Sequence, residues 1–188
     1  MMRVIVGCEF SQIVTKAFRA RGHDAYSCDL LPTEGNAEWH FQEDIINVLG
    51  REPFDLGIFH PPCTHLAVSG ARWFAQKESS GVQDEALDFV RQLLDAPISR
   101  IALENPVSII SSRIRKPDQI IQPWMFGHGE TKATCLWLKG LPLLKPTNVV
   151  AGRDGRVWKM PPSEHRWRDR SRTFTGIAEA MAATWGVL

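Results

Sequence analysis

The sequence lacks the features that mark membrane-spanning, exported and zinc-binding proteins. None of its apolar runs approaches the roughly eighteen residues of a membrane span, so we expect no membrane partner. The first residues, MMRVIVGCEF, lack the long apolar stretch and the small-residue cleavage site of a signal peptide. The four cysteines include no CxxC pair, so we expect no metal site and reduced thiols in the cytoplasm.

Net charge is also small, and its distribution along the chain is more informative than the total. The formal net charge is +1 at pH 7. Residues 1–140 contain 14 basic and 17 acidic residues, whereas residues 141–188 contain 8 and 4. The basic surplus after residue 140 is consistent with a solvated basic face or with a surface that contacts phosphates.

Short apolar runs alternate with helical patterns along the first 140 residues. We interpret six of these runs as strands, which lie in RVIVGCE, HDAYSCDL, EWHFQEDI, FDLGIFHPP, RIALENP and TKATCLWLKG. The clearest helix is SGVQDEALDFVRQLLDAP, where Leu87, Val90 and Leu94 share one face. This alternation predicts an α/β fold with a mainly parallel sheet.

The last quarter of the chain departs from this alternation. Residues 141–172 are rich in proline, glycine and basic residues, and they show no clear period. We expect a long basic connection, or a small hairpin that turns at Asp154-Gly155. The final stretch, GIAEAMAATWGVL, predicts an amphipathic helix. With no internal repeat, residues 1–188 are expected to form a single domain.

Polar or conformationally special residues follow each of the first five predicted strands. The carboxyl ends of parallel strands lie at one edge of a sheet, which is where ligands bind in such folds. We therefore expect one crevice to collect the following residues: Gly7 to Ser11, Asp29, Glu43-Asp44, Pro61-Pro62-Cys63 and Glu104-Asn105-Pro106.

Glycine is scarce in the first turn, which indicates the kind of cofactor. Asp29 follows that turn by about 20 residues, where Rossmann-type folds place the acid that binds ribose hydroxyls. The turn itself, GCEFSQ, has one glycine and lacks the GxGxxG pattern that cradles a pyrophosphate. A nucleoside cofactor without a pyrophosphate therefore fits better. The alternative is that Asp29 is an ordinary turn residue.

Two prolines precede Cys63 at the end of a strand. Proline fixes φ and cannot continue a hydrogen-bonded ladder, so Pro61 and Pro62 form a stiff arm that holds the next side chain at the sheet edge. This arrangement favours a reactive thiol at Cys63, whereas the other three cysteines are better explained as small core residues. His60 and His65 flank the thiol and are candidates for a general base or for packing.

The pair PPC and EN, on successive strands and 41 residues apart, resembles the nucleophile loop and the Glu-Asn motif of the cytosine-5 DNA methyltransferase family. VGCEFSQIVTKAFRARGHDAYSCDL resembles its cofactor motif, and EDI at Glu43 to Ile45 its Gly-Asp-Ile segment. The closing SRTFTGIAEAMAATWG is similar to compact phage and prophage members. The resemblance covers residues 3–140 and implies a Rossmann-like S-adenosylmethionine-dependent fold with helices on both faces of the sheet. A phage-encoded protein would act in the host cytoplasm.

The resemblance also implies roles for individual residues. Cys63 would add to C6 of a cytosine, and C5 would then take a methyl group from S-adenosylmethionine. Glu104 would hydrogen-bond or protonate N3, Asn105 would fix the loop and the base, and Pro62 would belong to the catalytic loop. The cofactor would be bound by Gly7, Cys8, Glu9, Phe10, Ser11, Asp29, Leu30, Asp44, Ile45 and Pro61.

Two departures from the family concern the nucleic acid. Lys132 stands where the family places an arginine-rich strand, and we expect it to contact a base or a phosphate. Further phosphate contacts are expected from Arg166, Arg168, Arg170 and Arg172. Most of the tryptophans are expected in the core, with Trp73, Trp158 and Trp167 as candidates for base stacking. The family usually carries a separate target-recognition domain, for which only residues 141–165 remain here.

Three functions are consistent with these observations. The first is a cytosine-5 methyltransferase of DNA. The second is a methyltransferase of RNA or of a free cytosine nucleotide, which the short recognition segment favours. The third is a non-catalytic methyltransferase-like module that binds nucleic acid or protein, which the altered glycine motif favours.

Overall fold

A computed structural model describes residues 1–164 and 166–187. These residues form one seven-stranded sheet, whose strands are β1 (Arg3–Gly7), β2 (Asp24–Cys28), β3 (His40–Phe41), β4 (Leu56–Phe59), β5 (Ile101–Pro106), β6 (Gln119–Ile121) and β7 (Thr134–Lys139). Their order across the sheet is β3-β2-β1-β4-β5-β7-β6. The first five strands run parallel, and β7 runs antiparallel to both β5 and β6. The predicted α/β fold with a mainly parallel sheet is confirmed.

The described helices are α1 (Ile13–Arg19), α2 (Ile45–Arg51), α3 (Phe74–Ser79), α4 (Val82–Leu94), α5 (Ile110–Arg113), α6 (Arg156–Lys159), α7 (Arg166–Ser171) and α8 (Thr175–Trp185). Three short 3₁₀ helices cover Ala37–Trp39, Val68–Trp73 and Pro123–Met125. Within the part of the chain described, no helix has both the length and the apolar character needed to cross a membrane.

The central strands are apolar on both faces because helices cover both faces. Side chains alternate along β1, so that Val4 and Val6 pack in one core with α1 and α8. Ile5 points the other way and packs in a second core with α2 and α4. Two cores on opposite sides of the sheet confirm the predicted placement of helices.

Two expectations from the sequence need correction. The strand predicted as the sixth is the seventh, β7. The three-residue strand β6, which precedes it, was not predicted because it is too short to show a period. In the segment 141–172, for which a long connection or a small hairpin was expected, no hairpin turns at Asp154-Gly155. Instead, its residues make isolated parallel bridges to the segment before β7, at Phe126↔Asn148 and Glu130↔Asp154. The chain then forms α6 and α7.

Strand register brings the predicted site residues to one level of the sheet. Gly7 pairs with Cys28 on one side and with Phe59 on the other, and Phe59 pairs with Leu103. The residues that follow these positions therefore emerge together at the carboxyl edge. They are Cys8, Asp29, His60 and Glu104.

Candidate active site

The turn from β1 to α1 keeps a glycine-like backbone although it has little glycine. Cys8 and Gln12 adopt left-handed conformations, with φ of 60° and 58°. Such a conformation costs a non-glycine residue about 1–2 kcal/mol. The Gln12 amide offsets part of this cost: it donates to the Asn36 carbonyl at 2.8 Å and accepts from the Asn36 N–H at 2.7 Å. Hydrogen bonds from the Gln12 side chain to the loop after β2 therefore stabilise a backbone conformation that usually favours glycine.

Glu9 lies in this turn, where its buried carboxylate faces the start of α1. It accepts hydrogen bonds from the Val14 N–H at 2.7 Å, the Thr15 N–H at 3.2 Å and the Thr15 hydroxyl at 2.7 Å. A carboxylate at this position satisfies free N–H groups and complements the positive end of the helix. Ser11 donates to the same carboxylate at 3.5 Å. Both residues were predicted to bind the cofactor, and neither lines the pocket beside them.

A pocket of about 400 Å³ lies at the carboxyl ends of β1 and β2. Five of the predicted cofactor residues line it: Cys8, Asp29, Leu30, Asp44 and Ile45. Pro62, predicted to be part of the catalytic loop, also lines it. The remaining lining residues were not predicted as cofactor ligands: Cys28, Glu43, His65, Val82, Glu85, Ala86 and Phe89. Four of these lie on α4, and only the fold reveals that this helix covers the pocket.

The other predicted cofactor residues lie around the pocket. Gly7 lies at its base, where an added Cβ would approach Phe59 to 2.8 Å and Ile45 to 2.9 Å. Phe10 contacts the Trp167 ring, with centroids 6.0 Å apart. Pro61 is buried beneath the loop that carries Cys63. None of these three residues lines the pocket itself.

The pocket is apolar with acidic groups at its edge. The Asp29 Oδ1 accepts from the Leu31 N–H at 3.0 Å, and the Asp44 Oδ1 caps α2 through the Ile46 N–H at 2.9 Å. Burial raises the pKa of the Asp29 carboxyl. Burial also raises the pKa of the Cys28 thiol, to about 12, and that of the Cys8 thiol still further, so both thiols are neutral.

Cys63 is exposed on a loop that is anchored at both ends. Its carbonyl accepts from the Leu66 N–H at 3.1 Å and the Ala67 N–H at 2.9 Å, which closes a turn around the thiol. On the strand side, the Asn105 amide donates to the Pro61 carbonyl at 2.9 Å. The Cys63 loop is thereby attached to the end of β5.

Glu104 lies nearly buried beside His60. The His60 Nδ1 is 3.2 Å from the Glu104 Oε2, and the two side chains are only 12% and 11% exposed. Burial alone would raise the pKa of Glu104, but His60, Lys132 and the Thr173 hydroxyl together hold it below its ordinary value. Burial would lower the pKa of His60, but Glu104 raises it above its ordinary value. Sequence reasoning related His60 only to Cys63 and missed this ion pair.

A second pocket, of about 520 Å³, opens next to Glu104. Lys132 and Thr173, which both act on Glu104, line it together with Arg156, Arg170 and Arg172. Its walls come from the loop before β7, from α6 and α7, and from the start of α8. The basic connection therefore forms one side of a cavity at the candidate active site.

The predicted phosphate-binding residues fall into two groups. Lys132, Arg170 and Arg172 line the second pocket. Arg166 and Arg168 lie on α7 outside the pocket lining. The Arg168 guanidinium lies over the Phe10 ring at 5.6 Å, and Arg172 pairs with Glu34 at 2.7 Å. The first contact docks α7 on the β1–α1 turn, and the second joins the residue after α7 to the loop after β2. Arg170 has no ion pair among the described residues.

Comparison with known proteins supports the fold. No family model matches the chain, and no curated protein matches it in sequence. It superposes on a protein described as a DNA modification methyltransferase encoded within a prophage of E. coli, with a TM-score of 0.50 and 13% identity. The S. pombe Dnmt2 methyltransferase gives a TM-score of 0.49, also at 13% identity. The matches cover 86% and 85% of this chain, which spans 56% and 53% of those proteins. The resemblance to the methyltransferase family is confirmed for the fold.

Proposed function

We propose that the protein is an S-adenosylmethionine-dependent methyltransferase that modifies C5 of cytosine in DNA through a covalent bond between Cys63 and C6. The observation that carries this proposal is the link from Asn105 to the Pro61 carbonyl. It joins the loop of an exposed thiol to the strand end that carries Glu104. A thiol and a carboxyl group supplied by adjacent parallel strands are the two groups that this chemistry requires.

The first pocket has the properties that the cofactor requires. S-adenosylmethionine supplies an electrophilic methyl group on a positively charged sulfonium. Its nucleoside suits the apolar lining that Ile45 and Phe89 provide, and its charge suits the acidic edge. Asp29 would accept hydrogen bonds from the ribose hydroxyls, and Asp44 would lie near the adenine.

The proposed reaction begins with the Cys63 thiolate, which adds to C6 of the target base. The C5–C6 π electrons then move toward N3, where Glu104 supplies a hydrogen bond or a proton. C5 becomes nucleophilic enough to take the methyl group. Loss of the C5 proton to a base then expels the Cys63 sulfur and restores the aromatic ring.

The second pocket supports a nucleic-acid substrate. It adjoins Glu104, and Lys132, Arg170 and Arg172 provide positive charge for a phosphate close to the reacting base. In duplex DNA the cytosine must first leave the base stack, which costs a few kcal/mol.

The decisive experiment measures tritium transfer from labelled S-adenosylmethionine to DNA, RNA and a cytosine mononucleotide in turn. We expect transfer to DNA. Transfer only to RNA or to the mononucleotide would change the assigned substrate. Cofactor binding without transfer to any of them would identify a non-catalytic binding module.

Replacement of the thiol tests the covalent step. We expect Cys63→Ser to abolish transfer and to leave cofactor affinity unchanged, because the side chain is exposed on the loop. An oligonucleotide containing 5-fluorocytosine, which cannot lose its C5 substituent as a proton, should trap the unmodified protein as a covalent complex on a denaturing gel. Thr64→Ala, at the neighbouring exposed position, serves as the control. Substantial transfer by Cys63→Ser would rule out the adduct.

A further inference from the structure

His60 lies beside the candidate active site, but the reaction proposed above gives it no role. It follows β4 directly, and its N–H donates to the Gly7 carbonyl at 3.0 Å, which fixes the backbone. Its Nδ1 faces the Glu104 Oε2 at 3.2 Å. Its buried Nε2 has no hydrogen-bond partner within the described chain. Polar atoms left unpaired in an interior are uncommon, and a catalytic role is one reason to retain them.

Glu104 has the wrong charge for its proposed task. Three groups favour its ionised form: His60 from the end of β4, Lys132 from the loop before β7, and Thr173 from the segment before α8. An ionised carboxylate has no proton to donate. N3 of a neutral cytosine carries no proton either, and electron density moves toward N3 when the thiolate adds to C6. A neighbouring group must therefore supply a proton to the Glu104 carboxylate or to N3.

His60 is the neighbour best suited to hold that proton. The charged groups that influence it are Glu104, Glu9 from the β1–α1 turn and Lys132. Of the groups near Glu104, histidine is the one that ordinarily exchanges a proton near neutral pH. Lys132 is directed elsewhere, because its Nζ donates to the Arg172 carbonyl at 3.1 Å.

We propose that His60 is a positioning residue that stores the proton which Glu104 passes to N3 of the target cytosine. The inference rests on the proposed function. As the sulfur–C6 bond forms, N3 takes a proton from the Glu104 carboxyl, and Glu104 takes the Nδ1 proton of His60. When the C5 proton has left and the sulfur–C6 bond breaks, N3 returns its proton to Glu104 and from there to His60. No proton is gained or lost by the pair over the cycle.

The test compares His60→Asn with the unmodified protein. The asparagine Nδ2 lies close to the position of the histidine Nδ1 and can donate to Glu104, but it cannot release a proton near neutral pH. We expect kcat at pH 8 to fall about 100-fold, as for loss of a general acid, with unchanged KM for the substrate. The deficit should shrink as the pH is lowered, because Glu104 then acquires its own proton. His23→Asn, at the opposite end of β2, is the matched control.

A loss of kcat by the same factor at every pH would indicate a purely structural role and would overturn the proposal, as would an unchanged rate. Calorimetry with S-adenosylmethionine verifies that the variant is folded.

An NMR titration of the His60 ring tests the pair without turnover. In the unmodified protein we expect a pKa above the ordinary 6.5, and in Glu104→Gln a lower one. A His60 that titrates at or below 6.5 and does not respond to Glu104→Gln would overturn the proposal. Absence of methyl transfer by the unmodified protein would count against the proposed function, whereas a His60 pKa that does not respond to Glu104→Gln would count against this inference alone.

Discussion

At the scale of single residues, two carboxylates beside the first pocket have different roles. Glu9 is occupied by the N-terminus of α1, so its charge is already balanced by helix N–H groups. Asp29 lies at the end of β2 and lines the pocket. An acid that remains at a pocket edge despite the cost of burial is a better candidate for a ligand contact than one that caps a helix.

We predict that cofactor affinity depends on the ionisation of Asp29. Because burial raises the pKa of this carboxyl above 3.8, affinity should be full above the raised pKa and should fall as the pH is lowered through it. Asp29→Asn should weaken binding about tenfold, since a hydrogen bond to a charged group contributes about 1.5–3 kcal/mol, and should abolish this pH dependence.

Calorimetry with S-adenosylmethionine between pH 3.5 and 7 measures both effects, with the exposed Asp88→Asn as control. Equal affinity for Asp29→Asn and the unmodified protein would mean that the ribose binds elsewhere.

At the scale of elements, α7 lies between the β1–α1 turn and the second pocket. Phe10 from the β1–α1 turn and Glu34 from the loop after β2 contact Arg168 on the helix. Glu34 also pairs with Arg172, which directly follows the helix. Arg170 lies toward the second pocket. One short helix therefore contacts the β1–α1 turn and also supplies positive charge to the proposed nucleic-acid site.

We predict that Arg170 contacts a phosphate. Arg170→Gln should weaken binding to all DNA sequences alike, because phosphate contacts carry no base information. It should also reduce the slope of log affinity against log salt by about 0.7–0.9, the value for one contact. Fluorescence anisotropy with labelled oligonucleotides at several salt concentrations measures this slope.

The matched control is Arg91→Gln, which removes a half-exposed arginine from α4. If both variants weakened DNA binding equally, Arg170 would contribute only through the overall charge of the protein and not through a specific phosphate contact. A change confined to one DNA sequence would instead indicate a base contact.

At the scale of the whole molecule, the His60–Glu104 pair links two central strands and so contributes to global stability. Because the pKa of Glu104 is lowered in the folded protein, its ionisation stabilises the fold above pH 4.5. This stabilisation is lost as the pH falls through the pKa of Glu104 in the folded state. Because the pKa of His60 is raised in the folded protein, its protonation stabilises the fold below pH 6.5. This stabilisation is lost as the pH rises through the pKa of His60 in the folded state. Both contributions are present together between pH 4.5 and 6.5.

We therefore predict that Glu104→Gln lowers the free energy of unfolding most between pH 4.5 and 6.5. The difference from the unmodified protein should decrease by on the order of 1 kcal/mol on each side of this window, since one pKa unit corresponds to about 1.4 kcal/mol. Urea unfolding at pH 4, 5.5 and 8.5 measures it, with the exposed Glu38→Gln as control. A difference that is constant across these pH values would show that the pair is not ionised in the folded protein.

Much of the fold could be predicted from local patterns. The apolar runs of β1, β4 and β5 and the helical period of α4 are visible within a few residues of chain, whereas the order of the strands across the sheet was not predicted. β6 was missed because three residues carry no period. The hairpin at Asp154-Gly155 was wrongly expected because a turn sequence does not show whether its flanking segments pair with each other.

The sequence by itself determined the α/β fold and the presence of special residues at the strand ends, because proline, strand period and chain order act locally. Only the tertiary structure decided which of those residues meet. Glu9 faces a helix and Asp29 a pocket, although both follow strands. His60 pairs with Glu104, 44 positions away, because β4 and β5 are neighbours in register. The second pocket combines α6 and α7 with the loop before β7, which only packing brings together.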